Sequence, residues 1–75
     1  MDWSDPHFLR KILAANMRRL RKAQGVSQEE LAHRTDLQQS YLSEIEHAKR
    51  NDSVDNVQRI AMALKVTPAE IQTPE

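Results

Sequence analysis

Apolar side chains recur at steps of three and four residues in the first third of the chain, the spacing of one face of an α-helix. The stripe consists of Leu9, Leu13, Met17 and Leu20. Asp5 followed by Pro6 predicts the start of this helix, with aspartate as the N-cap and proline at the first helical position. Gly25 is the only glycine and favours the end of the helix at that point.

Two short helices joined by a tight turn are predicted next. Ser27 and Glu30 fit a capping box, which places a second helix at about residues 28–35. A third follows at about residues 39–47. Asp36 stands in the turn between them, where a residue that tolerates positive φ is needed. Small or apolar residues fit the crossing of the two helices: Ala32, Leu37, Leu42 and Ile45. The pattern predicts a helix-turn-helix over residues 28–47.

The pattern of capping and apolar residues in the last third of the chain predicts two more helices. Ser53 caps the fourth, whose apolar stripe is Val54, Val57, Ile60, Ala61 and Leu64. Thr67, Pro68 and Glu70 form a second capping box and open a short fifth helix around Ile71. Nothing marks a domain boundary. We therefore expect one all-α domain of five helices over residues 1–75.

Composition narrows the possible functions. Cysteine is absent from the 75 residues, which excludes disulfides, thiolate zinc sites and thiol nucleophiles. The three histidines are too scattered for a metal site, and neighbouring carboxylates on one helix do not face each other as an acid/base pair would. No apolar run has the length of a membrane span, and the first residues lack the features of a signal peptide. We expect a cytoplasmic protein that is not an enzyme, with no cofactor, no metal and no membrane partner.

Charge is distributed unevenly although the formal net charge is zero. Between Arg10 and Lys22 there are six basic residues and no acidic one. This run is either an ordinary solvated face or a surface close to a polyanion, because the local potential matters more than the average.

The third predicted helix has a polar side opposite Leu42 and Ile45. That side carries Gln39, Ser40, Ser43 and Glu44. Glutamine can bond adenine in the major groove, serine can bond either kind of base edge, and a carboxylate can accept only from cytosine N4. The pattern alone leaves two interpretations open: a solvated face or a surface that reads bases.

Residues 13–71 resemble the lambda-repressor-like (XRE-type) helix-turn-helix domains of phage repressors, Cro proteins and restriction–modification controller proteins. The stretches that carry the resemblance are 17–21, 25–32, 41–46, 49–51 and 59–64. The resemblance implies a compact five-helix DNA-binding domain. The N-terminal extension, residues 1–10, is not part of the shared pattern.

The resemblance also implies a role for particular positions. The base-contacting positions are Gln38, Gln39, Ser40, Ser43 and Glu44. The phosphate-contacting positions are Ser27, Gln28, Lys49, Arg50 and Asn51, with Arg18 and Arg19 as further candidates. Arg21 and Glu46 match a structural ion pair that ties the first helix to the end of the third.

Several positions depart from the family pattern. Gln38 replaces the serine or threonine that often caps the recognition helix, and Glu44 brings a negative charge near DNA. Ala48 and Lys65 replace glycines that are common at helix ends, and Asp52 replaces a common proline. The aromatic residues of the N-terminal region, Trp3 and Phe8, together with Ile12, either cover the core or form a partner surface, and the partner surface is favoured.

The resemblance implies that the protein binds double-stranded DNA sequence-specifically and regulates transcription, for example as a repressor. Its expected location is the nucleoid. We expect a homodimer on an inverted repeat, with half-sites about 34 Å apart. Its interface is expected at helix 5, including Ile71, and the edge of helix 4, with the N-terminal extension as a further contributor. A restriction–modification controller, a Cro-like repressor and an antitoxin-type regulator all remain open. The alternative is a protein-interaction module, antitoxin- or co-regulator-like, with weak DNA binding.

Overall fold

The computed structural model describes residues 4–50 and 52–75, and all regular structure in these ranges is helical. The helices are α1 (Phe8–Ala23), α2 (Gln28–Thr35), α3 (Gln39–Glu46), α4 (Val54–Ala63) and α5 (Pro68–Ile71). The predicted five-helix, all-α class is confirmed. The helix-turn-helix prediction is also met, because α2 and α3 pack against each other and are joined by three residues.

The predicted start of α1 is wrong. The helix begins at Phe8, and Asp5 does not cap it. Instead, the Asp5 carboxylate accepts a hydrogen bond from the His7 backbone N–H at 2.8 Å. The backbone carbonyl of Asp5 accepts one from the Phe8 N–H at 3.0 Å. Lys11 holds the same carboxylate in an ion pair at 2.5 Å. Asp5 therefore shapes a turn that precedes the helix.

The core is a single apolar cluster to which every helix contributes. Its buried members are Leu13, Met17, Val26, Leu31, Leu42, Ile45, Val57, Ile60, Ala61, Leu64 and Ile71. The predicted burial is wrong for two residues of the apolar stripes, because Leu9 is 60% exposed and Val54 is 83% exposed. Phe8, one position earlier, is buried at that end of α1. Val54 is the first residue of α4, one turn ahead of its first core side chain.

Two apolar residues near the start of the described chain pack on the chain itself. Phe8 and Ile12 are buried within the single chain, so they cover the core instead of forming the favoured partner surface. Trp3 lies outside the described residues. Ile71 is fully buried, so its expected place in a dimer interface is wrong.

Side-chain caps begin three of the helices. Ser27 accepts from the Glu30 N–H at 3.0 Å, but the carboxylate of Glu30 bonds Arg34 instead of completing the predicted box. The box at Thr67 and Glu70 is complete. Ser53 caps α4 as expected.

Left-handed residues follow α1 to α4, and only one of these four residues is glycine. Asp36 has φ 58° in the turn of the helix-turn-helix, as predicted. Gly25, Ala48 and Lys65 have φ of 66°, 56° and 62° after α1, α3 and α4. Each of these three helices closes with the paired backbone bonds of a Schellman motif. The chain thus keeps the family's geometry at Ala48 and Lys65 without the usual glycine, at a steric cost of about 1–2 kcal/mol for each residue.

α1 is fixed to the end of α3 by a buried ion pair. Nε and Nη2 of Arg21 lie 2.9 and 3.1 Å from the two carboxylate oxygens of Glu46, whose side chain is 2% exposed. Nη1 of Arg21 donates to the Val26 carbonyl. Arg18 donates to the backbone carbonyl of Glu46. Asn16 holds α5 in a similar way, donating to the carbonyls of Ile71 and Thr73.

Replacing Ala48 by glycine should stabilise the protein. The substitution removes the steric cost of positive φ, and part of that gain is offset by the greater freedom of the unfolded chain. We expect the free energy of unfolding to rise by about 0.5–1 kcal/mol in urea denaturation. Ala15→Gly, at an exposed site within α1, is the control and should lower it by about 1 kcal/mol. A loss of equal size at both sites would contradict the strain at Ala48.

Replacing Arg21 by methionine should destabilise the protein severely. The apolar stem is kept, but the Glu46 carboxylate is left buried without its counter-charge, which costs about 3–5 kcal/mol. The control is Arg34→Met, which breaks the exposed pair with Glu30 and should cost less than about 1 kcal/mol. Urea denaturation followed by circular dichroism compares the two, and equal losses would refute a structural role for the Arg21 pair.

Candidate nucleic-acid interface

The polar residues predicted to contact bases lie together along the outer side of α3. Gln39 and Ser43, and likewise Ser40 and Glu44, are four residues apart and share one helical face. Gln38, Gln39, Ser40 and Glu44 are exposed, and Ser43 is partly buried. On the other side, Leu42 and Ile45 are buried in the core and hold the helix in place.

The start of this face keeps its hydrogen-bonding groups available. Gln38 takes the extended N-cap conformation but makes no side-chain cap bond. Within residues 4–50 and 52–75, the side chains of Gln38, Gln39 and Ser40 make no hydrogen bond, so their donors and acceptors are turned to solvent. Amide and hydroxyl groups presented on an exposed helix are suited to the edges of base pairs in a major groove.

Glu44 is engaged with the following loop. Its carboxylate accepts from Nη1 of Arg50 at 3.0 Å. The guanidinium of Arg50 also lies 4.6 Å from the centroid of the Tyr41 ring, within cation–π range. Two residues predicted to touch DNA separately, one at a base and one at a phosphate, are therefore bonded to each other.

Tyr41 joins α3 to α4, a role that the sequence interpretation missed. Its hydroxyl donates to Asp52 and accepts from Nδ2 of Asn56 at 2.9 Å. Burial, reinforced by the hydrogen bond to Asp52, raises the pKa of Tyr41. Burial also raises the pKa of Asp52, against the opposing effect of the Tyr41 hydrogen bond. All three residues are partly buried, and their contacts link α3 to Asp52 and to α4. The sequence carries no periodic signal for such contacts.

The predicted phosphate contacts are placed unequally. Lys49 is exposed and forms no ion pair with any described residue. Gln28 is partly buried at the first position of α2, and the hydroxyl of Ser27 is occupied by the cap of that helix. Asn51 lies outside the described residues.

Most of the basic residues in α1 bond other groups of the same chain. Arg18 and Arg21 bind the end of α3, and Lys11 pairs with Asp5. Arg19 pairs with Glu75 and bonds Asn16, which groups it with the C-terminal segment. Arg19 thus contacts the C-terminal segment, whereas Arg18 contacts the end of α3.

The described part of the chain shows no grouping of three or more histidine or acidic residues suited to a metal ion. None of its helices combines the length and the apolar character needed to traverse a lipid bilayer.

Comparisons with known proteins agree with this geometry. The Helix-turn-helix family model matches residues 17–71. The chain is 39% identical over 66 residues to the uncharacterized HTH-type transcriptional regulator y4dJ of Sinorhizobium fredii, covering 88% of this chain and 86% of that protein. The crystal structure of the hypothetical transcription factor NHTF from Neisseria is 38% identical with a TM-score of 0.87, over 99% of this chain and 82% of that one.

A second similar structure contains DNA. The restriction–modification controller protein C.Esp1396I, solved as a tetramer with its natural 35 base-pair operator, is 28% identical with a TM-score of 0.78, over 85% of this chain and 84% of that one. The family match runs from the middle of α1 to the end of α5, and the relatives are transcriptional regulators, not enzymes. The chain belongs to the XRE-type helix-turn-helix family of DNA-binding transcriptional regulators.

Proposed function

We propose that this protein binds double-stranded DNA sequence-specifically, as a homodimer on an inverted-repeat operator, and represses transcription from that site in the nucleoid. The observation that carries the proposal is the outer face of α3, which presents unbonded amide and hydroxyl groups on a helix anchored by buried residues. A helix of this kind fits the major groove of B-DNA.

In this proposal α3 supplies the sequence readout. Gln39 is placed to bond an adenine through N6 and N7, and the hydroxyls of Ser40 and Ser43 can bond either kind of base edge. Gln38, at the N-cap, is free to contact a base or the adjoining backbone. Glu44 can accept only from a cytosine amino group.

Contacts to the DNA backbone set the position of the protein. Gln28 and Ser27 lie at the N-terminus of α2, which attracts phosphate through its N–H groups and its dipole. Lys49 and Arg50 follow α3, and Arg18 lies at the far end of that helix. We extend the same role to Asn51 from its position in the chain.

The charge balance supports the proposed dimer. Because the net charge is zero and most arginines of the described chain bond groups within it, one subunit should bind weakly, and two linked half-sites raise the affinity. A groove of about 270 Å³ runs between α4 and α5, with Val54 exposed beside it. Its lining residues are Asp52, Val54, Val57, Gln58, Pro68 and Gln72. We assign this groove to the second subunit. The similar protein C.Esp1396I was solved as a tetramer with its operator, which supports binding by more than one chain.

The DNA-binding proposal is tested by Gln39→Ala and Lys49→Ala on an operator selected from random duplexes. Gln39→Ala should relax the preference at one base position, a loss of about 1–3 kcal/mol of discrimination. Lys49→Ala should weaken binding to all sequences alike and lower the slope of log affinity against log salt by about two, one phosphate contact for each subunit of the dimer. Fluorescence anisotropy across a salt series measures both effects.

Uniform loss for Gln39→Ala would refute its role at a base. A wild-type affinity that does not change with salt would refute the proposed function. That result would favour the interaction module, for which the neutral charge and Glu44 are the supporting features.

The dimer interface is tested by Val54→Glu. A carboxylate at the rim of the α4–α5 groove should shift the protein toward monomer by at least tenfold in the dimer dissociation constant, since a buried unpaired charge is costly. The control is Met62→Glu on the same helix, because Met62 lies beside Arg34 and Arg59 on another surface. Sedimentation equilibrium measures both, and dissociation by Met62→Glu alone would show that another face pairs.

A further inference from the structure

The ion pair between Glu44 and Arg50 stands on the surface proposed to meet DNA. Oε2 of Glu44 and Nη1 of Arg50 are 3.0 Å apart, and the two side chains are 51% and 45% exposed. The guanidinium also rests over the Tyr41 ring. Arg50 is therefore held by two side chains that both belong to α3, although it lies beyond the end of that helix.

The position of Arg50 is reinforced by what holds Tyr41. The Tyr41 hydroxyl is bonded both to Asp52 in the loop and to Asn56 in α4. The ring thus forms a fixed platform, and the backbone N–H of Lys49 bonds the Glu44 carbonyl at 2.9 Å. The loop brings the guanidinium back alongside the carboxylate, so the pair is part of a defined local structure.

The two charges have opposite preferences at a DNA surface. The guanidinium of Arg50 is attracted by phosphate, whereas the carboxylate of Glu44 is repelled unless a donor faces it. In the major groove the donor suited to a carboxylate is the cytosine N4 amino group. On a duplex without that donor, Arg50 remains the best partner available to Glu44.

We propose that Glu44 is a specificity-determining residue that acts through Arg50, keeping the guanidinium paired on non-specific DNA and releasing it where the operator offers a cytosine amino group. This inference rests on the proposed DNA binding. An exposed ion pair contributes at most about fivefold to an equilibrium constant, so one hydrogen bond in the groove can displace it. Arg50 then becomes free to bind a phosphate only at the correct site.

The test uses Glu44→Gln, which keeps the shape of the side chain and removes its charge. The matched control is Glu75→Gln, which makes the same change in net charge and breaks the Arg19–Glu75 pair at the C-terminus. Affinities are measured across a salt series for the selected operator and for a shuffled duplex of the same composition, in which no cytosine is kept at the operator positions that face Glu44.

Glu44→Gln should bind the shuffled duplex about tenfold more tightly, as two subunits each gain about threefold. The slope of log affinity against log salt on that duplex should steepen by about two, one released phosphate contact for each subunit. Affinity for the operator should change less, because the glutamine oxygen can still accept from cytosine. The ratio of specific to non-specific affinity therefore falls, whereas Glu75→Gln leaves it unchanged.

The dependence on Arg50 is tested in an Arg50→Gln background. There, adding Glu44→Gln should give no further gain on the shuffled duplex. An equal gain with and without Arg50 would overturn the proposal, since Glu44 would then act on DNA directly. Identical behaviour of Glu44→Gln and Glu75→Gln would also overturn it. Binding by the wild type that is insensitive to salt on both duplexes would instead refute the proposed DNA binding itself.

Discussion

The bidentate pair between Arg21 and Glu46 is the constraint on which the rest of the interface depends. Neither charge can be left in the interior alone, so any packing that separates α1 from the end of α3 is strongly disfavoured. Arg18 adds a bond to the backbone of Glu46 at the same point. Because Glu46 ends the helix that carries the polar face, fixing it sets the direction in which that face points. The pair thus contributes to a unique orientation as well as to stability.

The parts of the fold that were predictable from the sequence depend on local chemistry. The caps at Ser53 and Thr67 and the left-handed turn at Asp36 involve residues within four positions of each other, and the structure contains all of them. The errors lie at helix ends. Leu9 and Val54 fit an apolar stripe by spacing, but at a terminal turn the contacts with other helices decide which side chain is covered. Periodicity carries no information about those contacts.

In the candidate site, too, the features set by helical spacing were predictable and the contacts between distant residues were not. A polar face on α3 follows from helical geometry once Leu42 and Ile45 are inside, so its members could be named from the sequence. The pairing of Glu44 with Arg50 could not, because it requires the chain to reverse after α3. That reversal passes through Ala48 in a left-handed conformation without the usual glycine, and it brings a loop residue back beside the helix. Contacts across such a loop have no periodic signature.

Several cations of the described chain bond groups of the same chain, which lowers the positive charge available to attract DNA. Within the described residues, Lys11, Arg18, Arg19 and Arg21 all bond groups of the same chain, so the basic run of α1 adds less to the attraction for DNA than its composition indicates. Non-specific binding arises almost entirely from such attraction. In the proposed function, a chain whose cations bond its own groups, and which pairs Arg50 with Glu44, depends more on base contacts and on a second subunit for its affinity. In that case the protein distinguishes well between DNA sequences but does not bind DNA tightly.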